Sequence, residues 1–291
     1  MPSVALGVKV FSRVSKLSEL LNSIPKGIFD TVYVADDGES DPQKKELYSN
    51  NHDYDLIILD LEYDSGLGFG RRRIIEEMDE EYLLIVDSDH EVPDNVDVLI
   101  NQMESSPEFG GIAGLWLEDG SLVGGCHDLF EEGKVLIRDI RDGKEASIIE
   151  GHPIIPFEFV PNTAIFRSAC LDSYAWDEEY IIGSEHLDFY VGHKRHTDWK
   201  FGVCPSVLFP HKPGGDSSYL QNRQSAAKNM DSKSYFLEKW GYEQVVWNDV
   251  FPPQYQHRQV LLNQYLLSST KSKALVQSFL DAVQNIRGFF A

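Results

Sequence analysis

Five stretches of this 291-residue chain bring chemistry-bearing side chains to the ends of apolar runs or the starts of helical ones, where folding would turn them toward a common point. The sharpest is Leu83-Leu84-Ile85-Val86-Asp87-Ser88-Asp89-His90, a buried-type strand that runs directly into two carboxylates one residue apart. On an extended backbone residues i and i+2 face the same side, so Asp87 and Asp89 can meet one divalent ion. Oxygen ligands suit Mg²⁺ or Mn²⁺, and an ion so held neutralises a diphosphate. The competing reading is a solvated acidic turn, since Asp-x-Asp is short. The apolar strand ahead of it favours the site, because two carboxylates buried there without a counter-charge would be costly.

A second apolar run, Val32-Tyr33-Val34-Ala35, ends in Asp36-Asp37-Gly38. That pair can accept hydrogen bonds from a base or a ribose, or simply cap a helix or form a turn. The third stretch, Ser65-Gly66-Leu67-Gly68-Phe69-Gly70-Arg71-Arg72-Arg73, leads into a helical pattern over 74–78. Its glycines would admit close backbone approach to a ligand, and a helix N-terminus favours phosphate. Neither a P-loop nor a dinucleotide fingerprint has this spacing. Consecutive arginines cannot share one helix face, so Arg71 or Arg72 is expected at a diphosphate and the rest in solvent. Fourth, Gly183-Ser184-Glu185-His186-Leu187-Asp188-Phe189 opens a helix. A carboxylate there can act as general base for a sugar hydroxyl, or only complement the helix dipole. Fifth, His211 lies in Phe209-Pro210-His211-Lys212-Pro213-Gly214-Gly215, where it completes a metal site with Asp87 and Asp89 or stands exposed.

The elements that must position these residues read as βαβ units. Apolar or β-branched runs at 4–11, 31–35, 56–61 and 82–86 alternate with segments of helical period, which implies a parallel sheet with right-handed crossovers. In such sheets ligands sit beyond the carboxyl ends of the strands. After Pro93 come a helix over 95–103 and extended candidates at 111–117, 122–124, 134–139 and 157–166, which read as antiparallel hairpin material. Gly124-Gly125 and Asp142-Gly143 are turn dipeptides, the latter a hairpin signal. From Asp216 the chain is polar and helical. Past Pro252-Pro253, residues Leu275, Val276, Phe279, Leu280, Val283 and Ile286 recur at helical spacing, as a helix packed on the main domain or a peripheral membrane contact.

Composition limits the function. With 26 Lys and Arg against 47 Asp and Glu the net charge is −21, which repels a phosphate backbone and argues against nucleic acid as partner. Cys126, Cys170 and Cys204 are odd in number and contain no Cys-x-x-Cys, so neither a disulfide framework nor a structural zinc is expected. The opening MPSVALGVKVF lacks the pattern of a signal peptide, and no window approaches the ~18–20 apolar residues of a membrane span. A cytoplasmic protein, soluble or peripherally membrane-associated, is the expectation.

The order of these pieces resembles the family 2-like glycosyltransferases of the GT-A fold, over residues 4–215. The resemblance implies a Rossmann-like, mainly parallel central sheet flanked by helices, with an antiparallel acceptor-side portion and a helical C-terminal extension. It divides the chain into a GT-A domain at 1–215, whose nucleotide-binding half is 1–93 and acceptor half 94–215, and an extension at 216–291. Phe11, Ser12 and Arg13 are similar to the family's first nucleotide loop, and Asp36, Asp37 and Gly38 to its base-contacting element. Gly70, Arg71, Arg72 and Arg73 resemble its glycine-alanine-arginine-asparagine helix start, with Arg73 where asparagine is usual. Asp87-Ser88-Asp89 resembles the motif that binds Mn²⁺ or Mg²⁺ and a nucleotide sugar, with His211 matching the later histidine. Glu185-His186-Leu187-Asp188-Phe189 is similar to the catalytic Glu-Asp motif, in the Glu-His-x-Asp-Phe form of β-1,4-N-acetylgalactosaminyltransferase-like enzymes. It implies Glu185 as base with Asp188 second. Asn162 of Val160-Pro161-Asn162-Thr163-Ala164 is a candidate contact to donor or acceptor sugar.

The resemblance thus implies a metal-dependent inverting transferase that takes a nucleotide sugar, a UDP-sugar first, to a hydroxyl of a glycan or lipid-linked acceptor. Two alternatives stand beside it. A sugar-nucleotide nucleotidyltransferase would open with a glycine-rich basic loop after the first strand, where this chain reads Lys9-Val10-Phe11-Ser12-Arg13. A non-catalytic nucleotide- or carbohydrate-binding module would explain His186 in place of the usual aspartate.

Overall fold

The computed structural model describes residues 2–215, 219–220, 222 and 225–247. The chain divides into two compact units, Met1–Leu129 with Ile140–Gly241, and Phe130–Asp139 with Tyr242–Ala291. In the larger unit four parallel strands come first: β1 (Val4–Val10), β2 (Thr31–Asp36), β3 (Asp55–Asp60) and β4 (Tyr82–Asp87). Each lies within a residue or so of its apolar run, because a strand covered on both faces must be apolar throughout. Only β3, at the sheet edge, alternates between exposed and half-buried residues.

The helices between them follow their own signals. In α1 (Val14–Ser23), Leu17, Leu20 and Leu21 form one buried stripe, each contributing about 1.5–3 kcal/mol by burial. In α2 (Pro42–Ser49) the Asp41 side chain caps the Gln43 N–H at 2.7 Å and Pro42 takes the first position, where its missing N–H costs nothing. Next come α3 (Leu67–Glu77) and α4 (Asp97–Glu104).

The sheet then extends through β5 (Phe109–Glu118), β6 (Ser121–Val123), β9 (Ser147–Ile149), β10 (His152–Phe157), β11 (Ala164–Arg167) and β12 (Lys200–Pro210). Ten strands form it, in the order β3-β2-β1-β4-β11-β5-β12-β10-β9, with β6 paired to β5. Strand β11 is antiparallel to both β4 and β5, and β12 is parallel to β5. Hence β1, β2, β4, β5 and β12 all end at one edge, and β11 begins there. That edge carries Phe11–Arg13, Asp36–Asp37, Asp87–Asp89, Trp116–Glu118, Asn162 and His211. Among the described residues three further helices belong to this unit: α5 (Ser168–Ser173), α6 (Glu185–His196) and α7 (Ala226–Trp240). Ser225 caps α7, and Gly241, left-handed at φ 72°, ends it.

Two expectations for the second half are corrected. The 157–166 run is not one strand: β10 stops at Phe157 and β11 starts at Ala164, because Pro161 offers no N–H to a ladder. Asp142-Gly143 is a turn but closes no hairpin, since β9 pairs with β10 rather than with β8 (Val135–Asp139). The hairpins close instead at Asp119-Gly120 and Glu150-Gly151, each with two consecutive positive φ values, which match the twist of the strands they join.

In the smaller unit, β13 (Gln244–Trp247) pairs in parallel with β8, within a three-stranded sheet ordered β13-β8-β7, where β7 is Asp128–Glu132. Val135, Ile137 and Val246 form its core. The helical pattern expected over 258–291, and with it the membrane contact, lies outside the described residues. No helix among those described is long and apolar enough to cross a membrane.

Candidate active site

The end of β4 is the centre of the site. Asp87 accepts hydrogen bonds from Arg71 Nη2 and from Asn162 Nδ2, both at 3.1 Å. Asp89 Oδ2 accepts from Arg13 Nη1 at 2.6 Å and lies 3.5 Å from His211 Nε2, while Arg13 Nη2 donates to Ser88 Oγ at 2.8 Å. Burial alone would raise both carboxyl pKa values. The Arg71 guanidinium holds Asp87 below the usual range, and His211 and Arg13 do the same for Asp89. His211 Nδ1 lies 2.8 Å from Glu118 Oε2, and hydrogen bonding to Asp89, against partial burial and with help from Glu118, raises the histidine's pKa.

His90, adjacent to the Asp-x-Asp and absent from the expected set, belongs to the same cluster. Asp87, Asp89 and His90 offer ligand atoms that all lie within 4.8 Å of one another. The His90 ring stacks on His211 at 4.5 Å between centroids, its Nδ1 lies 3.3 Å from the Asp87 carbonyl oxygen, and its buried Nε2 has no partner. Burial lowers its pKa despite Asp87 and Asp89, which favours the neutral ring that ligates metals. Two carboxylates and an imidazole make a donor set that Mn²⁺ or Mg²⁺ fits.

Glu185 is the first residue of α6. The chain reaches it through Gly183 at φ 77° and Ser184 at φ 65°, two left-handed residues that reverse direction before the helix begins. Arg71, 1% exposed, donates from Nη1 to Glu185 at 3.2 Å as well as to Asp87 and lies over the Trp176 ring at 5.4 Å. One buried guanidinium therefore ties the start of α6 to the end of β4. A cleft of about 380 Å³ is lined by Lys9, Phe11, Arg13, Arg71, Asp87, Asp89, His90, Trp116, Asn162, Glu185 and His211, among others.

Other expected residues do not line this cleft. Asp36 is engaged by Lys44 Nζ and Tyr48 Oη, each at 2.7 Å, and by the Gly38 N–H at 3.0 Å. Asp37 pairs with buried Lys9 and accepts from the Gly66 N–H at 2.9 Å. Burial pushes the Lys9 pKa down against that pairing. Ser12 borders a neighbouring cleft with Phe11, Arg13, Lys44 and Tyr63, and its buried Oγ has no partner. Arg72 is exposed and Arg73 half-buried; they bridge Glu76 and Glu77 on their own helix, and neither lines the cleft. The glycine stretch is the start of α3, which begins at Leu67, with Gly66 and Leu67 on the cleft wall and Gly68 and Gly70 off it. A Cβ on Gly68 would stand 2.0 Å from the Asp177 carbonyl oxygen and one on Gly66 2.4 Å from Ile181 Cα, while one on Gly70 would meet Lys9. The backbone these glycines admit is the chain's own 177–181 loop, whose Ile181 and Tyr180 carbonyls accept from the Leu67 and Gly68 N–H groups. His186 Nε2 lies 2.8 Å from the Val160 carbonyl oxygen, so this histidine is held by backbone. Asp188 is fully buried beneath the site, hydrogen-bonded to side chains of α6's surroundings and of α7.

Residues 8–114 match the model of glycosyl transferase family 2. The chain superposes on GalNAc-T7, solved with UDP, GalNAc and Mn²⁺, with a TM-score of 0.61 at 12% identity, over 82% of this chain and 48% of that one. The fold is GT-A. Against S. aureus TarS 1-349 in complex with UDP-GlcNAc the TM-score is 0.52 at 19% identity, over 74% of this chain and 60% of TarS. This GT-A chain thus spans about half of GalNAc-T7 and three fifths of the TarS chain. No curated protein matches it.

Proposed function

We propose that the chain is a metal-dependent, inverting glycosyltransferase that moves a hexosyl or N-acetylhexosaminyl group from a UDP-sugar to a hydroxyl of a glycan or lipid-linked acceptor. The observation that carries the reading is the Arg71 bridge, which sets a helix-start carboxylate and a strand-end carboxylate on the wall of one cleft. The UDP-bearing states of GalNAc-T7 and TarS support UDP as the nucleotide.

Asp87, Asp89 and His90, with His211 beside them, are the residues to hold Mn²⁺ or Mg²⁺, which supplies positive charge to the diphosphate. Arg13 and Arg71 add fixed cations around the same point, and an arginine has donors to spare after its carboxylate bonds. The adjoining cleft of about 780 Å³, flanked by Phe11 and Tyr63 with ring centroids 5.4 Å apart, is the place for the nucleoside. Glu185 takes the proton from the acceptor hydroxyl as its oxygen bonds the anomeric carbon. The bond from that carbon to the diphosphate breaks on the opposite face, its electron pair leaves with the phosphate oxygen, and the configuration inverts. The Glu-His-x-Asp-Phe form fits this assignment, with Glu185 alone of its two carboxylates on the cleft.

The test is acceptor-dependent release of UDP from a panel of UDP-sugars, UDP-GlcNAc and UDP-GalNAc included, with Mn²⁺ present. Glu185→Gln is expected to lower turnover by on the order of 10²–10⁴-fold while UDP affinity stays within about twofold. Tight UDP binding with no sugar moved from any donor would favour the binding module instead.

A further inference from the structure

We infer that Asp188 is a positioning residue: it is the buried seat of helix α7, which braces the first turn of α6 against the donor-side loop, and it takes no proton from the acceptor. The inference rests on reading Glu185 as the base. Asp188 is 0% exposed, and its two oxygens are taken. Tyr174 Oη and Tyr180 Oη each donate at 3.0 Å, Trp240 Nε1 donates at 2.8 Å, and Lys239 Nζ donates to both oxygens, at 2.8 and 3.0 Å. A carboxylate has about four acceptor sites, so none is left for a substrate hydroxyl. Asp188 does not line the cleft, and a base must reach the proton it removes.

The donors identify what Asp188 holds. Lys239 and Trp240 are the last residues of α7. Burial works against the Lys239 charge, yet hydrogen bonds to Asp177, Asp188 and Tyr174 raise its pKa, so the contact is an ion pair. At the other end of α7, Lys228 binds the Asp64 carboxylate and Asn222, and Asn222 Nδ2 donates to Asp64 at 3.2 Å. Asp64 and Asn222 line the cleft. Lys228 and Lys239 are about 16 Å apart along a helix rising 1.5 Å per residue, enough to cross the site from the donor-side loop to α6. Between them Tyr235 Oη and Lys239 Nζ donate to Asp177 at 2.9 and 2.6 Å, fixing the loop that caps α3. Asp188 lies one turn after Glu185, so its anchorage sets the rotation of the turn that carries the base.

The experiment uses the full chain and two variants, Asp188→Asn and the pair Lys239→Met with Trp240→Phe. Amide exchange over 226–240 is read without substrate, and kcat against pH is read with the UDP-sugar and acceptor that the wild type turns over. Each variant is expected to speed α7 exchange by about tenfold or more as the helix opens locally. Both lower kcat by a similar factor, on the order of 10–100-fold for an angstrom-scale misplacement, and combining them adds little. The acidic limb of the pH profile stays where it was, because Glu185 still takes the proton. Loss of turnover in Asp188→Asn with normal α7 exchange, or wild-type turnover in the Lys239→Met, Trp240→Phe protein despite loosened α7, overturns the inference. If Asp188→Asn does not fold, the α7 pair alone decides. A wild type that binds no UDP in Mn²⁺ sinks the glycosyltransferase reading, while the exchange arm still tests the brace.

Discussion

Strands β2 and β4 both run from buried apolar residues into paired carboxylates, yet different cations meet them. At β2, Lys44 from α2 and Lys9 from β1 reach Asp36 and Asp37 beneath the surface, and hydrogen bonds from Tyr48, Gly38 and Gly66 use further acceptor sites. At β4 the partners are Arg13, Arg71 and two stacked histidines, on the wall of a cleft. Lysine presents a compact charge that a carboxylate satisfies; arginine keeps unused donors, and a neutral imidazole keeps a lone pair. The first end is therefore closed off by its own chain, while the second keeps spare donors and lone pairs on the wall of a cleft. An acidic strand end says that a counter-charge must come, and the kind of counter-charge decides what the end can bind.

The widest separation of the two ends should appear in stability. Asp37→Ala leaves Lys9 buried without its partner and is expected to cost about 3–5 kcal/mol in urea unfolding, with much of it recovered when Lys9→Met is added. Asp89→Ala should shift unfolding less and instead weaken Mn²⁺ binding, followed by electron paramagnetic resonance, by on the order of 100-fold. Equal destabilisation at both ends would erase the distinction. A proton sharpens it further. Because the His211 pKa is raised and a metal ligand must be neutral, Mn²⁺ affinity should fall below that pKa, by up to about tenfold per pH unit, and level off above it. Affinity that is flat from pH 8 down to about pH 5 would remove His211 from the metal's surroundings. The smallest effect is expected at Arg72→Ala, whose exposed pair with Glu76 should be worth within about 0.5 kcal/mol, with UDP affinity unchanged.

Much of the donor half was legible because its signals are local. Apolar runs marked β1 to β4, the acidic strand end gave Asp87 and Asp89, His211 stood out beyond a later strand, and Phe11 and Arg13 were named only through the family resemblance. Arg71 and Glu185 were both named as candidates, though nothing in their spacing showed that they bind each other. His90 was readable from its place next to Asp89. What escaped depends on partners distant in sequence. Lys239 and Trp240 follow Asp188 by 51 and 52 residues, so a buried anchor and a catalytic carboxylate look alike in one dimension. Gly68 likewise reads as ligand-facing until the 177–181 loop appears against it. Lys9 was passed over because a lysine in a strand gives no hint of the aspartate beside it.

The central claim is that the end of β4, with its arginines and histidines, binds a nucleoside diphosphate through a divalent ion. Calorimetric titration of the wild-type chain with UDP, with and without Mn²⁺, tests it most directly. Binding in the micromolar range that weakens at least about tenfold when Mn²⁺ is withheld is the expected result. Absence of UDP binding with Mn²⁺ present would contradict the claim.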